Sequence, residues 1–562
     1  MSAVLEAREP SARYLPSAQA VLVRQFELLA TAHGGVARLR NLIVSLAVRG
    51  GLSQREPTDA TLAPDMTYDG DAPYELPKGW RWQRLGELQP EFQNGAASRG
   101  DAGGQPITVL RLADIRNRRV SLAETRTVPI RREDIEKYLL RDGDILITRV
   151  NGSADIVGQF NLVEGGPRAI YCDHFIRLRV SRQVLEPHYL ALFASCDMVR
   201  KRIGDLFIST AGQKTVNQGH IASLPIAIPP LRDQARIVAR VNELMQLCDA
   251  LEAKGRVEAQ QHARLLETLL GTLTESTTPE ELAANWQRVA EHFDLLLDRP
   301  EAVDVLEQTI LQLAVRGTLV RQDANDEPVS LLLRRIRSDK NRLVAEGKIK
   351  SDKPLATLDS GEVPFDIPVG WDWMRLGSIA GIERGGSPRP IEAFLTDSPN
   401  GLNWIKIGDT EKGGKYITSA RERIRPEGLS KTRKVYPGDF LLTNSMSFGR
   451  PYITQIEGCI HDGWLRISPP SSLNKDYLYL LLSSSFMREL FVAAAAGGVV
   501  QNLNADKVRG VPIPLPPLAE QTRIVTRVTE LLRLCADLRQ RLAASQATQS
   551  RLAEALVESA LA

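Results

Sequence analysis

The sequence predicts a mixed α/β protein assembled as a tandem repeat: two similar α/β domains joined by long antiparallel coiled-coil helices, a duplication able to fold about a pseudo-twofold axis. Three observations carry this. A proline-studded extended run, Leu224-Pro-Ile-Ala-Ile-Pro-Pro230, is written again as Val511-Pro-Ile-Pro-Leu-Pro-Pro517. Each run breaks into Gln-x-Arg-Ile-Val-x-Arg-Val-x-Glu-Leu, at Gln234–Leu244 and Gln521–Leu531. Upstream of each lies a Trp-x-Trp segment, Leu76-Pro-Lys-Gly-Trp-Arg-Trp-Gln-Arg-Leu-Gly86 and Ile367-Pro-Val-Gly-Trp-Asp-Trp-Met-Arg-Leu-Gly377. The prolines cannot donate helix hydrogen bonds and bias preceding residues toward extended backbone. Beyond them, Ile237, Val241, Leu244, Cys248 and Leu251 step by four and three, as do Ile524, Val528, Leu531, Cys535, Leu538 and Leu542. That is the rhythm of a coiled-coil seam, and two matching stripes can be buried against each other.

A chain of 562 residues, 43% apolar and 25% charged, is long enough for two or more domains with real cores. No apolar run approaches the roughly 18 residues of a membrane span, and Met1–Leu15 lacks an apolar signal core, so a membrane partner is not expected. Five cysteines (172, 196, 248, 459 and 535) contain no CxxC pair. Two of them sit on the helix stripes as small hydrophobes, and a reducing compartment, the cytoplasm, is expected. Net charge is only +3, but residues 91–225 hold 19 Lys/Arg against 15 Asp/Glu and residues 382–515 hold 17 against 13. Two separated surpluses of +4 fit two sites for an anionic ligand; the competing reading is random scatter.

In chain order, residues 1–72 read as an N-terminal helical region and linker. Its helical pattern, Ala20–Val48, is interrupted near Gly34-Gly35 and stopped by Gly50-Gly51, with an acidic linker from Glu56 to Pro73. The first domain, 73–228, is entered through the Trp-x-Trp strand, whose rings read as core packing rather than base-stacking platforms. Within it, the strand Gly143–Thr148 leads to the loop Arg149-Val-Asn-Gly-Ser153. A strand (Phe175–Val180), a helix (Pro187–Ile203) and a polar loop (Ser209–Asn217) follow. Residues 229–275 form the central helix. A helical connector, 276–362, holds helices over Thr277–Leu297 and Val303–Val315, then an exposed charged helix, Leu331–Lys353, fading into a linker. The second domain, 363–515, repeats the first: Gly438–Thr443 leading to Asn444–Arg450, a strand (Trp464–Ile467), a helix (Lys475–Phe491) and the loop Gly497–Asn504. The last helix spans 516–562. Leu46-Ala-Val-Arg-Gly50 recurs as Leu313-Ala-Val-Arg-Gly317, which places the N- and C-terminal helices together. By contrast, Glu87–Leu140 and Ile379–Lys434 share little, so two domains of one frame present different surfaces.

The Pro-Pro-Leu-x-x-Gln-x-x-Ile helix opening, the Trp-x-x-x-x-Leu-Gly entrance and the two dissimilar domains in tandem resemble the specificity (S) subunit of type I restriction–modification systems, from about residue 20 to the end. The resemblance implies that each variable domain is a target recognition domain binding one half of a split site in double-stranded DNA, and that the repeated helices are conserved spacers. It implies partners as well. Two methyltransferase (M) subunits methylate adenine with S-adenosylmethionine, and restriction (R) subunits using ATP and Mg join them, with one S chain per complex. No cofactor is expected in this chain. The long N-terminal region and extended connector depart from a minimal two-repeat chain.

Reading a duplex takes phosphate contacts for register and base-edge contacts for sequence, and Arg, Asn and Gln supply the bidentate pairings. The loops offer Arg149, Asn151, Gln213, Lys214 and Asn217 in the first copy, and Asn444, Arg450, Gln501, Asn502 and Asn504 in the second. Asn in such loops also forms turns. Candidate phosphate contacts are Arg116, Arg118, Arg119, Arg131 and Arg132, then Arg423, Arg433 and Lys434; solvated surface is the alternative.

No catalytic motif emerges. The Pro-Pro pairs at Ile228–Leu231, Ser468–Ser471 and Leu515–Leu518 lack the Asn/Asp-Pro-Pro-aromatic form of an adenine methyltransferase. Pro64-Asp65 lies far from Glu346-Gly-Lys348, Gly408–Tyr416 misses phosphate-loop spacing, and Cys172/His174 and Cys459/His461 fall short of a zinc set. Catalysis is expected in partner subunits. The rival readings are a stand-alone DNA-binding protein or a coiled-coil scaffold.

Overall fold

The structure, a computed structural model, describes residues 26–52, 72–96, 104–116, 118–123, 125–210, 212–351, 354–411, 413–444, 449–495 and 503–561. The chain divides into two compact units, one of residues 1–258 with 546–562 and the other of residues 259–545. Both mix helix and sheet.

The first unit opens on helix α1 (Gly35–Val48), preceded by a short helix, Phe26–Thr31; Gly34, at φ 70, makes the break between them. Its strands are β1 (Arg81–Arg84), β2 (Glu91–Asn94), β3 (Gln105–Leu110), β4 (Ile115–Arg116), β5 (Arg119–Val120) and β6 (Arg126–Ile130), then β7 (Ile145–Thr148), β8 (Val150–Asn151), β9 (Phe160–Leu162), β10 (Ala169–Tyr171) and β11 (Phe175–Arg179). Helices α2 (Pro187–Phe193) and α3 (Asp197–Asp205) follow, then β12 (Ile208–Thr210), β13 (Gln213–Thr215), β14 (Pro225–Ile228) and the long α4 (Leu231–Glu275). The main sheet runs β2-β11-β7-β9-β5-β4, beside a three-stranded sheet β10-β3-β6. The β7 run Ile145-Leu146-Ile147 is buried on both faces, as an unbroken apolar strand should be. One helix was expected over 187–203. Two form instead, because Cys196 takes extended backbone between them.

Three polar brackets fasten this frame. The side chain of Gln234, fully buried at the start of α4, accepts from Glu186 N (2.7 Å) and donates to Val184 O (3.0 Å) and Pro229 O (2.8 Å). Tyr189 Oη donates to Ala227 O at 2.9 Å. Arg179 grips Asp144 with Nε and Nη2, at 2.7 and 2.8 Å. Trp82 packs in the core opposite Ala227 and donates to Tyr74 O (3.2 Å), as the core-packing reading of the tryptophans requires. The terminal helices do meet: Leu29, Ala32, Leu39, Cys248 and Ala553 share one core, and Arg49 Nη1 donates to Leu561 O at 2.8 Å.

The second unit repeats these brackets residue for residue. Its connector holds α5 (Pro279–Glu291), α6 (Pro300–Arg316) and α7 (Val329–Ala345). The strands are β15 (Asp372–Arg375), β16 (Gly381–Arg384), β17 (Leu402–Ile405), β18 (Tyr416–Ile417), β19 (Glu422–Ile424), β20 (Arg433–Val435), β21 (Phe440–Thr443), β22 (Pro451–Thr454), β23 (Gly458–Ile460) and β24 (Trp464–Ser468). Helices α8 (Lys475–Ser483) and α9 (Ser485–Ala495), strand β25 (Pro512–Leu515) and helix α10 (Leu518–Leu561) complete the chain. The sheets run β16-β24-β21-β22-β18 and β19-β17-β23-β20. β15 pairs with β25 as β1 does with β14. Gln521 accepts from Asn474 N (3.1 Å) and donates to Pro516 O (2.9 Å), Tyr477 donates to Pro514 O (3.0 Å), and Arg466 Nε holds Asp439 at 2.8 Å. Helix α6 packs on α8 and α9, as α1 does on α2. The seam residues Ile524, Val528 and Cys535 share a core with Leu266, Leu270 and Leu273 of α4.

Two expectations are corrected here. The single helix over 475–491 is a pair bent by 64°: Ser484 turns extended at ψ 151, its Oγ donating to Leu481 O (2.6 Å) and accepting from Met487 N (3.3 Å). The charged connector helix is not simply exposed. Val329, Leu332 and Ile336 form a buried stripe at three- and four-residue spacing, and Asp339 takes Ser471 Oγ and Ser472 N at 2.8 and 3.0 Å.

Asp326 receives both Nη groups of Arg523, a repeat arginine, at 2.9 and 2.5 Å. This pairing holds its carboxyl below the ordinary 3.8. A depressed folded value means the pair's stabilisation is complete above the ordinary carboxylate range and is lost as pH falls through the lower folded value. Asp326→Asn is therefore expected to destabilise the protein at pH 7, with a deficit that shrinks as pH falls below the ordinary carboxylate range; urea unfolding at pH 7 and in acid tests it, and a deficit that does not shrink would refute it.

Candidate nucleic-acid interface

In the first unit, β7 delivers the chain to Arg149, whose N–H donates to His174 O (2.7 Å) and whose carbonyl accepts from Val216 N (3.0 Å). Beyond it, β8 joins a small sheet, β12-β13-β8, in which Lys214 lies opposite Asn151 and Thr215 opposite Val150. Two loops far apart in sequence thus become one surface carrying Arg149, Asn151, Gln213 and Lys214. Gln213 is exposed; Arg149, Asn151 and Lys214 are half-buried. Asn151 Oδ1 accepts from Ser153 N (2.9 Å), and Lys214 Nζ donates to Gly152 O (3.2 Å), so the loop is braced before any ligand arrives. Asn217 is exposed at the edge, but its Oδ1 caps the helix Gln218–Ala222 through His220 N (2.8 Å). Its turn-forming role is real, and its Nδ2 lies 3.2 Å from His220 Nε2.

Arg200 Nη2 donates to the carbonyls of Ala154, Asp155 and Val157 at 3.0–3.1 Å. Burial holds its guanidinium below the usual arginine range, and the charge of Arg118 pushes the same way. Arg118 belongs to the β4–β5 hairpin, where Arg116 pairs across from Arg119 and Arg118 itself sits at φ 61. Arg119 Nη1 lies 3.7 Å from Glu164. All three arginines are exposed. Arg131 occupies the N-cap position of the helix Arg132–Tyr138, and Arg132 pairs with Glu136 at 3.1 Å.

The second unit keeps the frame and changes the surface. Asn444 N donates to Gly463 O (3.1 Å), and Leu503 N to Asn444 O (3.2 Å), the counterparts of the Arg149 contacts. Here Asn444 is corrected as a base reader: its side chain is 1% exposed and Nδ2 donates to Asp462 O at 2.7 Å. Asn504 is exposed but caps the helix Ala505–Gly510 through Lys507 N (2.8 Å). Arg450 is half-buried with its guanidinium 5.7 Å above the Tyr452 ring. Gln501 and Asn502 lie outside the described residues. Among the phosphate candidates, Arg423 is exposed and donates to Pro399 O (3.2 Å). Arg433 faces Glu383 at 3.5 Å and Lys434 faces Glu457 at 2.5 Å, so each of these cations already has a carboxylate partner.

Sequence reasoning missed two groups here, Asp462, whose carbonyl accepts from Asn444 Nδ2, and Arg389, which stands 3.7 Å from the Asp462 carboxylate. The available signal was the Gly385-Gly-Ser-Pro-Arg-Pro390 run, turn formers around one arginine, inside a stretch where the two copies cannot be aligned. Among the described residues, one group of possible metal donors clusters, Cys172, Asp173 and His174, within 4.8 Å of one another. Burial raises the Cys172 thiol, and three donors remain one short of a structural zinc set.

Comparison with known proteins agrees with this architecture. A family model described as type I restriction modification DNA specificity domain matches residues 101–261 and 368–545, one segment for each copy of the frame. The chain is 31% identical to the type I restriction enzyme EcoEI specificity subunit of Escherichia coli over 94% of both chains. It is equally similar, 31% over 94% of both, to the EcoAI specificity subunit of the same species. A putative type I restriction enzyme MjaX specificity subunit from Methanocaldococcus jannaschii is 30% identical over 81% of this chain and 87% of its own. With its paired frames, dissimilar loops and full-length relatives, this chain belongs to the family of type I restriction enzyme specificity subunits.

Proposed function

We propose that the chain is the non-catalytic DNA-reading subunit of a cytoplasmic type I restriction–modification complex, each unit reading one half of a split, asymmetric site. The observation that carries this is a duplicated frame bearing different loops. The Gln234/Gln521 and Asp144–Arg179/Asp439–Arg466 brackets are equivalent, whereas the residue that each delivers to its loop differs: Arg149 is half-buried in one copy, and its counterpart Asn444 is buried and bound to Asp462 O in the other. One frame with two surfaces reads two different half-sites in the same orientation relative to its spacer helix. Methyltransferase chemistry, with S-adenosylmethionine, belongs to partner subunits, as do ATP and Mg where a nuclease joins.

Two equivalent partners, one S chain between them, fit the long helices. Arg240–Glu243 and Arg527–Glu530 form matching exposed ion pairs at 2.9 and 3.2 Å. One turn on, Leu247 and Leu534 stand 60% and 63% exposed. An identical solvent-facing patch on each repeat suits two copies of one protein, the methyltransferase. A lone scaffold has no use for the basic reading sheet, and a stand-alone DNA binder none for the exposed leucines.

Helix length sets the gap between half-sites. Inserting seven residues in both α4 and α10 adds about 10 Å of helix, roughly three base pairs. Mapping methylated adenines with the whole complex is expected to show a split motif whose gap lengthens by about that much, its half-sites unchanged. A contiguous motif, or an unaltered gap, refutes the reading.

A further inference from the structure

The segment after β16, Gly385-Gly-Ser-Pro-Arg389, lies hard against residues 460–464. Gly385 N donates to Trp464 O (2.9 Å) and Gly386 N to Ile460 O (3.2 Å). A Cβ on Gly385 would stand 2.0 Å from the His461 carbonyl oxygen, so only glycine permits this approach. Ser387 Oγ donates to Asp462 Oδ1 (2.8 Å) and accepts from Asp462 N (3.3 Å). The carbonyl of Asp462 accepts from Asn444 Nδ2. Asp462 is thereby locked to the loop end that corresponds to Arg149 in the first unit.

Arg389 Nη2 sits 3.7 Å from Asp462 Oδ2, while the arginine side chain is 83% exposed. It lines an open cleft of about 800 Å³ with Trp404, Lys406 and His461. The Arg389 guanidinium, a planar fork of N–H donors, lies within ion-pair reach of that fixed carboxylate and stays open to solvent. That fork matches the O6 and N7 acceptors of guanine, which a lysine cannot do.

We propose that Arg389 is a specificity-determining residue of the second unit, donating to a guanine of its half-site, with Asp462 and Ser387 as positioning residues. This rests on the DNA-reading function proposed above. The test maps methylated adenines with the whole complex carrying Arg389→Ala, Arg389→Lys, Asp462→Asn or, for comparison, Gln213→Ala. Arg389→Ala is expected to relax one guanine position, with discrimination falling roughly ten- to hundredfold. Arg389→Lys should do the same although it keeps the charge, and Asp462→Asn should relax that position and no other. A merely structural Asp462 would instead weaken methylation at every sequence alike. The relaxed position should lie in the half-site that Gln213→Ala leaves intact.

An unaltered motif in Arg389→Ala overturns the inference. So does uniform weakening on all sequences with a salt slope smaller by about 0.9, the mark of a phosphate contact. If the parent complex itself shows no split motif, the DNA-reading function fails; if the motif is split and Arg389→Ala leaves it whole, only this assignment fails.

Discussion

Asp439→Ala is expected to cost the second unit about 3–5 kcal/mol of stability, the penalty for stranding a buried charge. Asp439 is the partner of three groups at once. It takes Arg466 Nε (2.8 Å) and Tyr436 N (2.8 Å) on Oδ2, and Ser468 Oγ (2.7 Å) on Oδ1, while Glu383 faces Arg466 from 3.3 Å. Removing the carboxylate leaves the Arg466 guanidinium, 5% exposed, with Glu383 as its remaining carboxylate. It also leaves a backbone N–H and a hydroxyl buried without an acceptor. Asp439→Asn preserves the shape and should cost less. A chain with two compact units need not unfold in one step, so the readout is local hydrogen exchange. Protection should fall in Phe440–Thr443 and Trp464–Ser468 and persist in Ile145–Thr148. Asp144→Ala should produce the mirror pattern through Arg179. A loss below about 1 kcal/mol would sink the bracket argument.

The second large effect concerns DNA affinity. Replacing Arg116, Arg118 and Arg119 together by alanine should weaken binding tenfold or more at low salt and reduce the slope of log K against log salt by up to about 2.7. In an antiparallel ribbon, directly opposite residues project to the same face, and like charges so placed destabilise it. Arg116 and Arg119 occupy such a pair, and Arg118 adds a third positive charge that is felt at Arg200. A polyanion laid along that ribbon relieves the repulsion. Because phosphate contacts position a duplex without specifying it, the methylated motif should stay the same. A titration of the complex from 50 to 200 mM salt decides; an unaltered slope removes the hairpin from the interface.

The organisation of the chain was legible before any coordinates. Repetition was visible because the brackets that hold each copy together demand particular residues: a glutamine to satisfy a helix start, an aspartate after glycine to meet an arginine, a tryptophan to fill the entrance. Buried polar groups tolerate few substitutes, so duplication leaves them recognisable. Helix periodicity likewise located the long helices, since burial of one stripe is written at regular spacing. Even the meeting of the terminal helices followed from repeat order alone.

Loop chemistry was another matter. Asn444 and Asn151 look alike in sequence, yet one is buried against Asp462, eighteen residues on, and the other braces a turn on a half-exposed sheet. Asn217 and Asn504 spend their oxygens on helix caps. The connector helix buries Ile336, and Ser484 breaks a helix whose periodicity continues through it. Arg389 gains its meaning only from a carboxylate 73 residues away. Periodicity and propensity are local quantities, fixed by neighbours along the chain. What a loop side chain can do depends on which distant backbone groups fold against it, and that was decided by tertiary packing alone.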